Sequence, residues 1–306
     1  MTDTENQMNA IERMLEYRHR IAHEGPPIPD QLIPPKHWPA EGAITLENLE
    51  MRYRPGLPLV LRGVSMEICG GEVVGVVGRT GSGKSSLMLC LFRLVEPASG
   101  SIKIDGIDIG KITLKDLRSR LSIIPQEPIL FSGTVRTNID PFSAYSDDEV
   151  WRVLERSHLK EKVSELPGKL DADVAEYGEN FSVGERQLLC LARVLLRSCK
   201  VLVMDEATSS VDFETDKLIQ GTIRNHLQGT TLLIIAHRIN TVIDASRVLV
   251  LSHGKLVEYD TPAALLERPD GSFSSLIQDT GEANAAHLIR LANSRTSFFS
   301  PQRNAN

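Results

Sequence analysis

The sequence predicts an α/β fold built around a largely parallel β-sheet. Short runs rich in valine, leucine and isoleucine, which suit strands buried on both faces, occur at 72–77, 201–204 and 231–236. Helix-like segments separate these runs, and in the one at 147–166 apolar residues recur at helical spacing. Buried strands that alternate with helices are typical of a parallel sheet covered by helices on both faces.

The composition is that of a globular protein, with 41% hydrophobic and 24% charged residues in 306. The formal net charge of −6 argues against a general nucleic-acid-binding protein, which would carry a basic surplus. The four cysteines form no C-x-x-C pair, so we expect free thiols in a reducing compartment. No apolar run approaches the roughly 18 residues that span a bilayer, and no N-terminal signal core is present. On its own the chain is therefore expected to be soluble and cytosolic, and a membrane role would need another segment or another chain.

Outside the alternating region, simpler patterns describe the chain. The segment 8–20 has one apolar face and predicts an amphipathic helix. Its proline-rich continuation, 25–42, predicts an extended linker, because proline fixes φ and removes amide donors. The segment 247–259 predicts a β-hairpin, and the tail 280–306 is expected to be flexible.

Residues 78–85 match the phosphate-binding pattern G-x-x-x-x-G-K-[ST]. Glycines let backbone N–H groups point at phosphate oxygens, and the following helix presents its positive N-terminus to the same anion. Lys84 can reach the β- and γ-phosphates, and the Ser85 hydroxyl can bind Mg²⁺. The pattern arises by chance in about one chain of this length per hundred, but here it follows a predicted strand and precedes a predicted helix. The predicted ATP-binding residues of this segment are Gly78, Arg79, Thr80, Gly81, Ser82, Gly83, Lys84, Ser85 and Ser86.

The strand-like run 201–204 ends in two carboxylates, Asp205 and Glu206. A strand in a parallel sheet delivers its C-terminal residues to the ligand edge. There Asp205 can support Mg²⁺, directly or through water, and Glu206 can orient an attacking water. A strand followed by an acidic helix cap would look the same, so the functional interpretation depends on the phosphate-binding loop.

Two more polar residues follow strand-like runs. His237 comes after 231–236 and could contact the γ-phosphate, although a lone histidine at a strand end is usually structural or solvated. Gln126 comes after 121–124 and could supply a neutral oxygen to Mg²⁺. Neither residue would be informative alone.

Ser182 and Glu185 form an S-x-x-E capping box before a predicted helix that runs to about Arg197. This is a local structural signal. A glycine-containing helix N-terminus is also an anion site, so a ligand-binding role stays open.

In chain order these motifs resemble those of the ABC ATPase family over 43–279. The matching features are Tyr53, which resembles the residue that stacks on adenine; 78–85, the Walker A loop; Gln126, the Q-loop; 181–185, the signature, with Ser182, Val183, Gly184 and Glu185; 204–206, the end of Walker B; 209–212, the D-loop, with Asp212; and His237, the switch histidine. The resemblance implies a P-loop NTPase of the ABC type. Such a fold has a mixed sheet core, an antiparallel β subdomain and a helical signature subdomain, here at about 127–197.

Longer stretches at 124–133, 138–142 and 180–189 resemble the second ATPase domain of the multidrug-resistance-associated subfamily, subfamily C. In that group, residues before the domain close the last transmembrane helix. The segment 1–24 resembles that exit helix, and 25–42 resembles its linker. The chain is thus similar to the C-terminal part of a transporter, and whether it is a fragment, a truncated product or a complete protein stays open.

The family mechanism implies a head-to-tail pair of ATPase domains attached to transmembrane domains, in the same or another chain, at the cytoplasmic face of a membrane. Each MgATP lies between the phosphate loop of one domain and the signature of the other. The implied catalytic residues are Lys84, Glu206 and His237, and the implied metal ligands are Ser85, Gln126 and Asp205. Hydrolysis would power export of a substrate, and no nucleic acid is involved.

The signature departs from the general family pattern at two positions. Val183 replaces glycine, which is usual in subfamily C. Glu185 replaces the customary glutamine; its charge would repel a partner's ATP, although it also suits the helix dipole. Two alternative functions stay open: a regulatory ATP-binding domain that gates a membrane partner with little turnover, and an ABC ATPase without a transport role.

Overall fold

The computed structural model describes residues 2–20, 24, 28, 30–206, 211–236 and 239–294. The strands of the described part are β1 (Ile44–Met51), β2 (Leu61–Ile68), β3 (Val73–Val77), β4 (Ser99–Ile104), β5 (Ile107–Asp108), β6 (Leu121–Ile124), β7 (Gly133–Thr134), β8 (Asp173–Val174), β9 (Val201–Asp205), β10 (Thr231–Ile235), β11 (Arg247–Ser252) and β12 (Lys255–Asp260). The helices of the described part are α1 (Thr2–Arg20), α2 (Lys84–Leu91), α3 (Leu114–Arg118), α4 (Val135–Ile139), α5 (Asp147–Arg156), α6 (Lys160–Glu165), α7 (Val183–Arg197), α8 (Phe213–His226), α9 (Pro262–Leu266), α10 (Ser272–Gln278) and α11 (Glu282–Ser294).

The central sheet has six strands in the order β12-β11-β3-β10-β9-β6. The strands from β11 to β6 run parallel, and β12 is the antiparallel partner of β11 in the predicted hairpin. In β10, Ile235 is level with Val76 of β3 and with Asp205 of β9. The chain therefore leaves these three strands at the same edge of the sheet, where the candidate functional residues follow.

A second, antiparallel sheet has the order β2-β1-β4-β5 and packs with α2 against one face of the central sheet. Side chains of β3 alternate between two cores, as the strand pleat requires. Val74 and Val76 join the core on the side of α2, whereas Val73 and Val77 join the core on the side of α7. The α/β class, with its antiparallel sheet, is confirmed.

The helical region between β6 and β9 packs around α7, which is buried along most of its length. The predicted helical segment 147–166 is two helices, α5 and α6. His158 between them has a φ of 60°, and the N–H of Leu159 donates to the carbonyl oxygen of Leu154 at 2.8 Å. This left-handed helix ending stops α5 and turns the chain into α6.

The N-terminal helix α1 begins at Thr2, earlier than the sequence pattern predicts, and Met8, Ile11 and Leu15 are exposed on it. The described part of the proline-rich stretch contains neither helix nor strand. It lies against the antiparallel sheet, where Asp105 accepts hydrogen bonds from consecutive backbone N–H groups of 40–43.

The expectation of a flexible tail from 280 onward is wrong for 282–294, which form α11. Ala285, Leu288 and Ala292 recur at spacings of three and four residues, and they are buried in the same core as Leu265 and Phe273. Small and branched apolar residues at that spacing give the helix a face that packs.

Within the described ranges, no helix combines the length and hydropathy needed to cross a bilayer. The four cysteines are free, as predicted, and all except Cys69 are buried.

Candidate functional site

The glycine-rich loop connects β3 to α2 in a conformation that only glycine adopts easily. Gly78, Gly81 and Gly83 have φ angles of 150°, 79° and 107°. A Cβ atom on Gly78 would clash with the carbonyl oxygen of Leu251 and lie 2.6 Å from Ser82 Oγ. The turn of the β11–β12 hairpin braces the loop from outside, since the N–H of Gly254 donates to the Ser82 carbonyl at 3.0 Å. Contacts with the β11–β12 hairpin therefore stabilise the curved conformation of the loop.

Lys84 begins α2 and folds back over the loop. Its Nζ donates to the carbonyl oxygen of Gly78 at 2.8 Å, and its side chain is buried. Burial lowers the pKa of Lys84, while the carboxylates of Glu206 and Asp205 act in the opposite direction. A cation is thus placed between the loop and the two carboxylates at the end of β9.

The two serines after Lys84 differ in exposure. Ser85 is exposed, whereas Ser86 is buried and lies with its Oγ 3.0 Å from the Tyr53 hydroxyl. The Tyr53 ring is about half exposed, at 49%. This contact ties Tyr53 to the first turn of α2 and leaves much of its aromatic ring accessible beside the loop.

Glu206 follows β9 with a φ of 47°, in the left-handed region. Such a conformation costs a non-glycine residue about 1–3 kcal/mol and recurs at functional sites. Its backbone N–H donates to the carbonyl oxygen of Ile235 on β10 at 2.9 Å, which holds the turn in place. Gln126, two residues after β6, donates its Nε2 to Glu206 Oε2 at 3.2 Å. The segments that follow β6 and β9 are therefore joined by a side-chain hydrogen bond.

The predicted capping box is present at the N-terminus of α7. Ser182 Oγ accepts the N–H of Glu185 at 3.2 Å, and Glu185 Oε2 accepts the N–H of Ser182 at 2.8 Å. Ser182 and Val183 are exposed, and Gly184 is buried. The signature residues thus lie at the N-terminus of α7, whereas the phosphate-binding loop lies between β3 and α2.

A salt bridge that sequence reasoning missed lies at this helix N-terminus. Lys162 on α6 places its Nζ 3.2 Å from Glu185 Oε1. Burial would raise the pKa of Glu185, but the Ser182 N–H and Lys162 together bring it below its ordinary value. No sequence signal pairs these residues, because their proximity depends on the break between α5 and α6.

Asp212 caps α8 and connects it to the signature. Its carboxylate accepts the N–H of Thr215 at 2.9 Å and the Thr215 hydroxyl at 2.7 Å. A Cβ atom on Gly184 would lie 3.0 Å from the Thr215 side chain, so glycine allows α7 and α8 to approach closely here. Thr215, which the sequence did not single out, therefore lies between Asp212 and the signature.

The structure brings Lys84, Asp205, Glu206 and Gln126 to one edge of the central sheet. His237 and the first two residues of the predicted D-loop, 209 and 210, lie outside the described residues. Within the part of the chain that is described, no group of three His, Cys, Asp or Glu side chains could hold a metal by itself. A metal at this edge would need oxygen ligands from a bound phosphate as well.

Comparison with known proteins identifies the family of this domain. The sequence model of the ABC transporter family matches residues 61–209, which include the loop after β3, Gln126, the signature and the end of β9. The chain carries a nucleotide-binding domain of the ABC transporter family.

Relatives in subfamily C extend the similarity to almost the whole chain. The ABC transporter C family member 3 of Dictyostelium discoideum is 52% identical over 96% of this chain and 21% of its own length. Human ATP-binding cassette sub-family C member 3 is 52% identical over 92% of this chain and 18% of its own length. The chain therefore spans about a fifth of the length of these curated relatives.

A solved structure supports the same fold. A bacterial Atm1-family ABC exporter with ATP bound superposes with a TM-score of 0.81 and 31% sequence identity, covering 90% of this chain and 48% of that one. The ABC ATPase fold and the resemblance to subfamily C are confirmed. The roles of individual residues stay predictions.

Proposed function

We propose that this chain binds and hydrolyses MgATP as the C-terminal nucleotide-binding domain of a subfamily C exporter. It would pair head-to-tail with a second nucleotide-binding domain and attach to transmembrane domains at the cytoplasmic face of a membrane. One observation carries the proposal: Lys84 is held on the phosphate loop beside Asp205 and Glu206, with Gln126 hydrogen-bonded to Glu206.

The phosphate loop would bind the triphosphate through backbone N–H groups and Lys84. The N-terminus of α2 adds the partial positive charge of the helix dipole. Ser86, held by Tyr53, adds a hydroxyl next to the loop, and the exposed Tyr53 ring offers a face for the adenine. His237 would hold the γ-phosphate, as the family resemblance implies.

Three oxygen-bearing side chains at the site fit Mg²⁺. The Ser85 hydroxyl, the Asp205 carboxylate and the Gln126 amide oxygen match the hard oxygen ligands that this ion prefers alongside phosphate oxygens. Gln126 donates its amide nitrogen to Glu206, so its amide oxygen is the atom that would bind the metal. Bound Mg²⁺ would neutralise charge on the β- and γ-phosphates.

Glu206 would orient the attacking water. Its backbone is fixed by Ile235, and its carboxylate is fixed by Gln126, so the carboxylate does not need to reorganise before attack. Lys84 would stabilise the charge that develops on the transferred phosphoryl group. Preorganised groups of this kind supply most of the acceleration in phosphoryl transfer.

Pairing would complete the site. The exposed Ser182 and Val183 at the N-terminus of α7 present an anion-binding helix end to the ATP of the partner. Thr215 contacts both this helix end and Asp212 in the D-loop, so a displacement of one would also displace the other.

Export can be tested by domain replacement in a relative. The corresponding segment of human ATP-binding cassette sub-family C member 3 would be replaced by this chain, and ATP-dependent uptake of that transporter's substrate would be measured in inside-out vesicles. We expect uptake with the wild-type chain and none with its Glu206→Gln variant. Hydrolysis without uptake would favour an ABC ATPase without a transport role. MgATP binding without hydrolysis would favour a regulatory domain.

A further inference from the structure

The pairing of Lys162 with Glu185 places two opposite charges where the proposed partner ATP would approach. Lys162 belongs to α6 and Glu185 to the first turn of α7, and their charged atoms are 3.2 Å apart. The side chain of Lys162 is 46% exposed and that of Glu185 is 24% exposed. The pair is thus open enough to face a ligand and ordered enough to have a defined position.

Both oxygens of the Glu185 carboxylate have a partner. Oε2 accepts the backbone N–H of Ser182, and Oε1 faces Lys162. The carboxylate therefore sits on its own helix N-terminus, where it satisfies an N–H group that would otherwise be open to a ligand. The carboxylate also places a negative charge at the N-terminus of α7, where it opposes the attraction of the helix dipole for phosphate.

We propose that Lys162 is a positioning residue of the signature half-site, which cancels the charge of Glu185 so that the N-terminus of α7 can still face the phosphates of a partner's ATP. The inference rests on the head-to-tail pairing proposed above. It assigns a role to a residue of α6, outside the signature.

The signs of the expected effects follow from the charge at the half-site. Lys162→Met leaves Glu185 uncompensated and makes the half-site more negative, so ATP-driven association should weaken. Glu185→Gln leaves the positive charge of Lys162 uncompensated and should strengthen ATP-driven association. The double variant restores neutrality and should lie near the wild type. We expect each single change to shift the dissociation constant roughly tenfold, because a pair of identical chains contains two such half-sites.

The experiment uses the 306-residue chain with Glu206→Gln to prevent turnover. Dissociation constants of the self-pair are measured by sedimentation with MgATP and with MgADP, and thermal unfolding is recorded for every variant. Lys160→Met is the matched control, because Lys160 also lies on α6 but pairs with Glu155 at 3.1 Å. It removes the same charge from the same helix and should leave association unchanged. Raising the salt to about 0.5 M should shrink the differences between variants by screening.

A purely structural link between α6 and α7 gives a different result. In that case Lys162→Met and Glu185→Gln would both lower the melting temperature and both weaken association, which would overturn the inference. Equal association in all variants would overturn only the role of Lys162. Binding of MgATP without association in any variant would contradict head-to-tail pairing of two copies of this chain, and the inference with it, while leaving the proposed ATP binding intact.

Discussion

Gln126 donates its side-chain amide to the carboxylate of Glu206 at 3.2 Å, across 80 residues of sequence. The two residues follow the parallel strands β6 and β9, which are neighbours in the central sheet. The amide fixes the direction of the carboxylate, while the bond from the Glu206 N–H to Ile235 fixes its backbone. The proposed water-orienting group is thus held from two neighbouring strands.

Lys84→Ala should weaken MgATP binding by about 100-fold or more, because it removes a charged donor from the phosphates. Calorimetric titration of MgATP into the chain measures this. Lys160→Ala, which removes an exposed lysine from α6, should bind as the wild type does. Equal affinity of the Lys84→Ala variant would show that the loop is not the nucleotide site.

Gly78→Ala and Gly81→Ala form a matched pair for loop geometry. Gly81 has open space around a Cβ, so its substitution should cost only the left-handed backbone, about 1–2 kcal/mol. Gly78 would in addition clash with Leu251 and Ser82, so its substitution should cost about 3 kcal/mol or more. Free energies of unfolding from urea titrations test the difference, and equal costs would contradict the close packing of the loop against the β11–β12 hairpin.

The Glu185 carboxylate should make stability depend on pH. Its folded-state pKa is below the ordinary value, because Ser182 and Lys162 favour the charged form against the opposing effect of burial. The stabilisation is therefore present above the pKa of the unfolded chain, about 4.3, and is lost as the pH falls through the lower folded pKa.

Unfolding of the wild type and of Glu185→Gln should be compared from neutral pH to about pH 3. The wild type should lose about 0.5–1 kcal/mol more than the variant on acidification. Parallel pH dependences would mean that the carboxylate gains nothing from the two partners that the structure gives it.

ATP turnover by the isolated chain should be slow and should rise per molecule as protein concentration rises. A complete site needs a signature from a second domain. In the resembled transporters a non-identical domain supplies it, but in a solution of this chain alone a second copy must do so, and pairs of copies become more frequent as concentration rises. Phosphate release measured over a wide range of protein concentration tests this. Fast turnover that does not depend on concentration would contradict the pairing.

The sequence predicted the sheet strands and the residues at their ends because both signals are local. The apolar runs before Gly78 and Asp205 need only burial on two faces, and the glycine pattern needs only its own loop. The order of the motifs along the chain, and not any one motif, indicates the family, and the family resemblance in turn predicts which residues act together at the site.

Contacts that depend on packing between distant elements were not predictable. The Lys162–Glu185 pair needs the left-handed ending at His158, and the Thr215 contact needs the glycine at 184 to bring two helices together. The packing of α11, in the tail after 280, is unpredictable from the sequence for a related reason. A segment rich in alanine and polar residues is expected to be flexible. It forms a packed helix here because α9 and α10 provide an apolar surface against which Leu288 is buried.

We propose that Glu206 is needed for hydrolysis, because it orients the attacking water, but not for binding of MgATP. The most direct test compares Glu206→Gln with the wild type, measuring both MgATP affinity and steady-state phosphate release at a protein concentration where the wild type turns over. We expect unchanged MgATP affinity, within about twofold, and turnover reduced by about 100-fold or more. Turnover at the wild-type rate in the Glu206→Gln variant would contradict the proposal.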